Sequence, residues 1–148
     1  AIIGESAKLF TSSWDGECKI WNLGSYELET QLVSQNERIR SLAATQDGSK
    51  VALGLHSGKI LMIDLEEPSK VKKIPGHTDV VASLSIDSTG ERLVSGSWDR
   101  SIRIWSLNNN KEISSDKLLT GITAVKWAPK DEVIYSADFS GTVTSWNV

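Results

Sequence analysis

A repeat of about 42 residues runs through the 148-residue chain and constrains its fold more than any other feature. Four segments superpose without gaps, each combining a tight turn with a stretch of alternating polar and apolar residues. They cover residues 15–21, 57–63, 99–105 and 140–146, and their last residues are separated by 42, 42 and 41 positions. A repeat of about 40 to 45 residues is long enough for one small four-stranded sheet. The sequence therefore predicts a chain of consecutive, similar sheets.

The residue pattern inside each repeat indicates β-strands. In the aligned segments apolar and polar side chains alternate, as at Ile102, Arg103 and Ile104, which predicts the third strand of each repeat. Second strands are predicted just upstream, at residues 9–12, 51–54, 93–96 and 133–136, each followed by a tight turn with Asp or Ser. First strands are predicted at 39–44, 80–86 and 122–127, and weaker fourth strands at 26–32 and 71–74.

The third repeat resembles the WD40 family, and the resemblance extends over essentially the whole chain. It rests on Gly76-His77 followed by Ser95, Asp99 and Trp105. The resemblance implies an all-β propeller in which His77, Ser95, Asp99 and Trp105 form a buried, hydrogen-bonded structural tetrad. The other repeats keep fewer members, namely Thr11, Asp15 and Trp21 in the first, Ser136 and Trp146 in the fourth, and apolar Leu53 and Ile63 in the second. We therefore expect the third blade to be the most rigid, because a fully satisfied polar network rigidifies a sheet.

The number of repeats predicts part of a ring. The chain holds about three and a half repeats, at approximately 1–34, 35–75, 76–116 and 117–148, with the first and last incomplete. Propellers close with about 4 to 8 blades, because an open ring leaves exposed sheet edges. The preferred prediction is a segment of 3.5 to 4 four-stranded antiparallel blades that forms half of a seven-bladed ring within a longer chain. The alternatives are a homodimer that completes one ring and four blades that close alone.

A candidate binding surface lies at the position just before each turn Asp or Ser. That position holds an aromatic ring in every repeat: Trp14, His56, Trp98 and Phe139. In the family that the chain resembles, this position lies on the top face. The top face is the end of the propeller where the turns between second and third strands lie. Positions near the start of the first strands add Arg38, Arg40 and Val80. This surface would suit a peptide with hydrophobic and acidic or phosphorylated groups, although each ring could instead cover the edge of the neighbouring blade.

Composition argues against several other classes of function. The net charge is −3, from 16 basic and 19 acidic residues without a basic block, so nucleic acid is not an expected partner. No apolar stretch approaches the roughly 20 residues of a membrane span. Two histidines and one cysteine give no zinc-ligand spacing, and no phosphate-binding glycine loop occurs, so no metal or cofactor is predicted. The single cysteine and the absence of a signal peptide predict a cytoplasmic or nuclear protein.

The predicted function is a non-catalytic scaffold or adaptor that binds protein or peptide partners on its top face. A rival hypothesis is a purely architectural segment that completes a larger ring or a homodimeric assembly. A remote third is a hydrolase, because His77, Ser95 and Asp99 are the residue types of a nucleophilic triad. That hypothesis is weak, since Ser95 lies in a predicted strand rather than on a sharp nucleophile turn and no oxyanion loop is evident.

Overall fold

The computed structural model describes residues 2–3, 7–33 and 36–148, and folds them into four antiparallel sheets that follow one another along the chain. Sheet 1 consists of β1 (Ile2–Ile3), β2 (Lys8–Ser12), β3 (Glu17–Asn22) and β4 (Leu28–Val33). Sheet 2 consists of β5 (Ile39–Ala44), β6 (Lys50–Leu55), β7 (Ile60–Asp64) and β8 (Lys72–Ile74). Sheet 3 consists of β9 (Val81–Ile86), β10 (Arg92–Ser97), β11 (Ser101–Ser106) and β12 (Lys111–Lys117). Sheet 4 consists of β13 (Ile122–Trp127), β14 (Val133–Asp138) and β15 (Val143–Asn147).

Each sheet is a meander in which strands adjacent in sequence pair antiparallel. This is the all-β architecture predicted from the repeat, and the predicted bounds of β5 and β13 coincide with the structure. Strand β12 was not predicted. All seven of its residues are exposed, so it lacks the apolar alternation by which a half-buried strand is recognised.

The inner sheets bury both of their faces, which explains their alternating sequences. In β6, Val51 and Leu53 pack into a core shared with sheet 1, whereas Ala52 between them packs into a core shared with sheet 3. A third core, between sheets 3 and 4, includes Ile104 and Ile134. Burying a side chain of this size contributes about 1.5 to 3 kcal/mol, so consecutive sheets are held together face to face by their apolar side chains.

Cys18 and Trp127 also belong to these cores. Cys18 is completely buried, and burial raises the pKa of its thiol to about 11. The ring of Trp127 lies under the guanidinium of Arg92, whose carbon is 4.5 Å from the ring centroid. A buried thiol with a raised pKa remains protonated at neutral pH and is a poor nucleophile.

A β-bulge recurs near the start of the first strand in sheets 2, 3 and 4. It leaves Arg40, Ala82 and Thr123 outside the regular ladders with the second strands. Bulges bend a strand and redirect the side chain of the extra residue. Of the three, Arg40 is exposed and Ala82 is buried, so the same local distortion presents a charged group only in sheet 2.

Among the residues that the structure describes, no helix has the length and apolar character required to cross a membrane.

Candidate functional site

Four side chains of sheet 3 form one continuous chain of hydrogen bonds. The indole N–H of Trp105 donates to the hydroxyl of Ser95 at 2.8 Å, and that hydroxyl lies 2.7 Å from Nε2 of His77. On the other side of the ring, Nδ1 of His77 lies 3.0 Å from Oδ2 of Asp99 and 2.9 Å from the hydroxyl of Ser101. The four residues of the predicted tetrad are therefore linked in one chain of contacts, and Ser101 is a fifth member.

Ser101 was missed from the sequence, although its spacing from Asp99 is informative. Its backbone N–H donates to Oδ1 of Asp99 at 2.8 Å, which is the bond of an Asx turn. The hydroxyl of Ser101 donates to the same oxygen at 2.6 Å. An Asp followed two residues later by Ser could therefore have identified this additional partner.

The protonation states in this network follow from its burial. Burial lowers the pKa of His77, although the neighbouring Asp99 carboxylate opposes the shift. Burial raises the pKa of Asp99, but hydrogen bonds from Ser101 and Thr78 outweigh that effect and hold it at about 2. At neutral pH a neutral imidazole thus donates from Nδ1 to an ionised Asp99 and accepts at Nε2 from Ser95. The buried polar groups satisfy one another.

The same distances resemble those of a catalytic triad, but the surroundings of Ser95 do not. Ser95 is 0% exposed and lies within β10. Its oxygen accepts the indole N–H of Trp105, and its hydroxyl proton is directed to His77. A nucleophile must reach the reacting carbon of a substrate. The geometry therefore favours a link between strands over a nucleophilic site.

The corresponding positions in the other sheets repeat part of this network. The indole of Trp21 donates to the Thr11 hydroxyl at 3.0 Å, and that of Trp146 donates to the Ser136 hydroxyl at 2.8 Å. In sheet 2 the two positions are Leu53 and Ile63, which are both buried in the core shared with sheet 1. Sheet 3 alone combines the serine–tryptophan pair with a bonded histidine and carboxylate among the described residues.

The four predicted aromatic rings lie in the turns that join second to third strands. Three of these turns have the same backbone bond, in which the ring residue donates its N–H to the carbonyl at the start of the first strand. The donor–acceptor pairs are His56–Arg38 at 2.9 Å, Trp98–Val80 at 3.1 Å and Phe139–Gly121 at 3.0 Å. The repeat thus places each of these rings directly beside the beginning of the first strand.

The rings form two pairs, each joining two consecutive sheets. Trp14 of sheet 1 meets His56 of sheet 2 edge to face, with ring centroids 6.4 Å apart. Trp98 of sheet 3 and Phe139 of sheet 4 are 5.6 Å apart at an interplanar angle of 57°. Trp14 and Phe139 are each 60% exposed and Trp98 is 37% exposed. The rings therefore pack against each other and still present apolar surface to solvent.

Arg38 adjoins the first ring pair, and Arg40 lies two residues further along the chain. The guanidinium carbon of Arg38 lies 5.7 Å from the centroid of the Trp14 ring, a distance typical of a cation–π contact. Arg38 and Arg40 are both exposed, and neither forms an ion pair within the described part of the chain. The neighbouring carboxylate of Glu37 is bonded to Lys59 at 2.7 Å and to the Ser57 hydroxyl. The two guanidinium groups are therefore available to an external anion.

Val80 corrects one sequence prediction. We expected its side chain to be part of the binding surface, but it is 1% exposed. The carbonyl of Val80 accepts a hydrogen bond from the Trp98 N–H. Its isopropyl side chain is buried because an apolar group is stabilised by leaving water, whereas the charged guanidinium of Arg38 remains exposed.

Gly121, which has the same register as Arg38 and Val80, positions the second ring pair. A β-carbon at Gly121 would lie 2.9 Å from two carbons of the Phe139 ring and 3.1 Å from the Cα atom of Trp98. The absence of a side chain allows the Phe139 ring to lie against the strand.

No group of three or more His, Cys, Asp or Glu side chains in the described residues is arranged to hold a metal ion.

The family model described as "WD domain, G-beta repeat" matches residues 4–22 and 68–106. The transcription factor unc-37 of Caenorhabditis elegans is 28% identical over 113 residues, which cover 76% of this chain and 18% of that protein. The small ribosomal subunit protein RACK1 of the same organism is 30% identical over 109 residues, 74% of this chain and 33% of that protein. The chain thus spans a third or less of the length of these two relatives.

The solved structure of the RRP9 WD40 repeats superposes on 100% of this chain with a TM-score of 0.91 at 21% identity. The superposition covers 47% of the RRP9 chain, which agrees with the prediction that these repeats amount to about half of a ring. These matches indicate the same fold as the 42-residue repeat and the hydrogen bonds that connect Trp105 to Asp99. Residues 4–22 and 68–106 are repeats of the WD40 type, and the four sheets have the fold of blades in a WD40 β-propeller.

Proposed function

We propose that this chain is a non-catalytic scaffold that binds a protein partner through its top face, the surface formed by Trp14, Arg38, Arg40, His56, Trp98 and Phe139. The carrying observation is that a ring occupies the same turn position in all four sheets and that these rings pair across sheets while remaining exposed. Aromatic and arginine side chains dominate the binding energy of protein interfaces, with hot spots of about 2 kcal/mol or more.

The chemistry of the buried network supports the absence of catalysis in this proposal. Ser95 has no access to a substrate, and His77 and Asp99 are satisfied by their neighbours. The proposed place of action is the cytoplasm or the nucleus. Relatives named as a transcription factor and as a small ribosomal subunit protein are in keeping with those compartments.

Ring-deletion variants test the proposal. Trp14→Ala and Phe139→Ala should each weaken capture of the same partner by about tenfold or more. Because both rings are 60% exposed, thermal stability should change little. Tyr26→Asn is the matched control, since Tyr26 is an 83% exposed ring in the turn between β3 and β4, and Asn tolerates its positive φ of 60°.

The readout is quantitative mass spectrometry of proteins retained by each immobilised variant, followed by calorimetry with the purified partner. A partner lost from both ring variants and kept by Tyr26→Asn supports the proposal. A purely architectural segment, which closes a larger ring or a homodimer, predicts equal capture by all variants, and that result would reject the binding surface.

A further inference from the structure

We propose that the top face reads an extended segment of its protein partner at two chemically different points. An anionic side chain, carboxylate or phosphate, is bound by Arg38 and Arg40 beside Trp14 and His56, and an apolar side chain is bound on Trp98 and Phe139. This inference rests on the proposed function and adds the chemistry of the partner to it. We call the two points the arginine pocket and the ring platform.

The arginine pocket is organised before an anion arrives. The guanidinium carbon of Arg38 lies 5.7 Å from the centroid of the Trp14 ring, and the ring of His56 meets the Trp14 ring at an interplanar angle of 82°. A cation–π contact does not use the N–H donors of the guanidinium for a hydrogen bond to an acceptor atom, so they remain free for a bidentate bond to a carboxylate or phosphate. The contact with Trp14 restricts the Arg38 side chain, so less conformational entropy is lost on binding.

Arg40 adds a second cation to the same end of β5. The bulge between Ile39 and Ser41 leaves Arg40 outside the ladder and exposed. Its equivalents in sheets 3 and 4 are Ala82 and Thr123, so no comparable charge occurs at that register in those sheets. The acidic neighbour Glu37 is already bonded to Lys59 and Ser57. Of sheets 2, 3 and 4, only sheet 2 therefore carries a positive charge at this register of the first strand.

The ring platform has the opposite character. Trp98 and Phe139 contact each other with centroids 5.6 Å apart, and within the described residues no Arg or Lys lies over either ring. The backbone N–H groups of both residues are bonded to Val80 and Gly121. A surface of exposed rings with satisfied backbone groups favours an apolar side chain, which gains by leaving water.

Charge complementarity favours a peptide over a nucleic acid. The chain carries a net charge of −3, and the pocket contains only two unpaired arginines. Nucleic-acid backbones are bound by extended basic surfaces that neutralise several phosphates. Two guanidinium groups match one anionic side chain.

A peptide array tests the inference on the whole chain. Each peptide carries phosphoserine, glutamate or serine at one position and leucine or alanine at a second, with the spacing varied across the array. Binding should require both the anionic residue and the leucine at a narrow range of spacings. A preference for phosphoserine over glutamate assigns the pocket to phosphate, and the reverse preference assigns it to carboxylate.

Variants then separate the two points in solution, by fluorescence anisotropy with the best peptide and its serine analogue. Arg38→Gln should weaken the anionic peptide about tenfold, the effect of one charge-assisted bond, and leave the serine analogue unchanged. Phe139→Ala should weaken both peptides equally. Lys130→Gln, which removes the same charge in the exposed turn between β13 and β14, should change neither.

Three results would overturn the inference. One is equal loss in Arg38→Gln and Lys130→Gln, which indicates general attraction, and another is no binding by any array peptide. The third is tighter, Arg38-dependent binding of a single-stranded RNA oligonucleotide. If partner capture still depends on Trp14 and Phe139 when the anion selectivity fails, the proposed function survives and this inference does not.

Discussion

The hydroxyl of Ser95 accepts the indole N–H of Trp105 at 2.8 Å, and the same bond links Ser136 to Trp146 at 2.8 Å in the next sheet. The two bonds are alike in length but differ in surroundings. Ser95 also bonds His77 at 2.7 Å in a fully buried site, whereas the indole of Trp146 is only partly buried. Because the net value of a hydrogen bond depends on what its loss leaves unpaired, equal bonds should contribute unequally to stability.

Ser95→Ala should lower the free energy of unfolding by about 2 to 4 kcal/mol. The change leaves two buried groups, the Trp105 N–H and Nε2 of His77, without a partner, at about 1 to 3 kcal/mol each. Ser136→Ala should lower it by about 1 kcal/mol or less, since the Trp146 side chain is only partly buried. Urea denaturation of the two variants measures the difference. Equal losses would show that the histidine link adds nothing to the third blade.

Acidification should destabilise the fold in a first step that His77 causes. Burial holds the pKa of His77 below its ordinary value of 6.5, so the unfolded chain binds a proton that the folded chain does not. The free energy of unfolding therefore falls as the pH drops below 6.5. The chain has two histidines, so His77→Gln should lose the pH dependence between about pH 7 and 5, while His56→Gln should retain it. Retention of the full dependence by His77→Gln would exclude His77 as its source.

A second step should follow as Asp99 takes up a proton. Its pKa is about 2 in the fold against an ordinary value of 3.8, so its stabilising contribution is complete above pH 3.8 and is lost as the pH falls towards 2. A shift of this size corresponds to roughly 2 kcal/mol. Urea titrations at pH 5, 4 and 3 should show a steeper loss for the wild type than for Asp99→Asn, which starts from a lower stability. Parallel curves for the two proteins would contradict this step.

Arg100→Gly should leave the fold intact and change its stability by up to about 1 kcal/mol in the favourable direction. Arg100 has a φ of 72°, and the equivalent turn positions hold Gly16, Gly58 and Gly141 at φ values of 87°, 88° and 81°. This backbone conformation is strained for a residue with a β-carbon. The reciprocal change is Gly141→Ala, which has open space around its new β-carbon and should lose about the same amount through strain alone. Thermal unfolding of both variants checks the sign, and a destabilised Arg100→Gly would reveal a contact that the Arg100 side chain makes.

The repeat predicted the features that recur in every sheet, because each copy of the repeat corresponds to one sheet. Alternating residues gave the bounds of β5 and β13, and the third repeat identified four positions that the structure joins by hydrogen bonds. Strand β12 escaped because an exposed outer strand needs no apolar face. A strand without a buried face leaves no alternating apolar pattern in the sequence.

The surface was harder to predict because its features depend on contacts between sheets. All four rings were recognised, but their division into two pairs, Trp14 with His56 and Trp98 with Phe139, depends on how consecutive sheets pack. Val80 and Arg38 occupy equivalent backbone positions, but Val80 is buried and Arg38 is exposed. The repeat predicts the backbone position, whereas burial depends on whether the side chain is apolar or charged. Gly121 lacks a side chain and so leaves room for the Phe139 ring, and no sequence motif identifies such a position.

Gly121→Ala should separate the rings of the platform without unfolding the chain. The new β-carbon would lie 2.9 Å from the Phe139 ring, which is 60% exposed, and 3.1 Å from the Cα atom of Trp98, so the ring must move and the backbone must shift slightly. Gly96→Ala is the contrasting variant, because its β-carbon would lie 2.5 Å from Ile122 and 2.8 Å from Val125, both buried between sheets 3 and 4. Overpacking of that kind costs about 1 to 3 kcal/mol, whereas Gly121→Ala should cost less than about 1 kcal/mol, because an exposed ring can move away without displacing a packed core.

Nuclear Overhauser effects between the rings of Trp98 and Phe139 report on the platform directly, and urea denaturation reports on the fold. Gly121→Ala should lose the ring contacts and retain stability, and Gly96→Ala should show the opposite combination. If the platform binds an apolar side chain, Gly121→Ala should also weaken the best array peptide and its serine analogue to the same extent, as Phe139→Ala does. If the ring contacts remain intact in Gly121→Ala, the backbone of the strand has moved instead of the ring. The position of Phe139 would then not depend on Gly121.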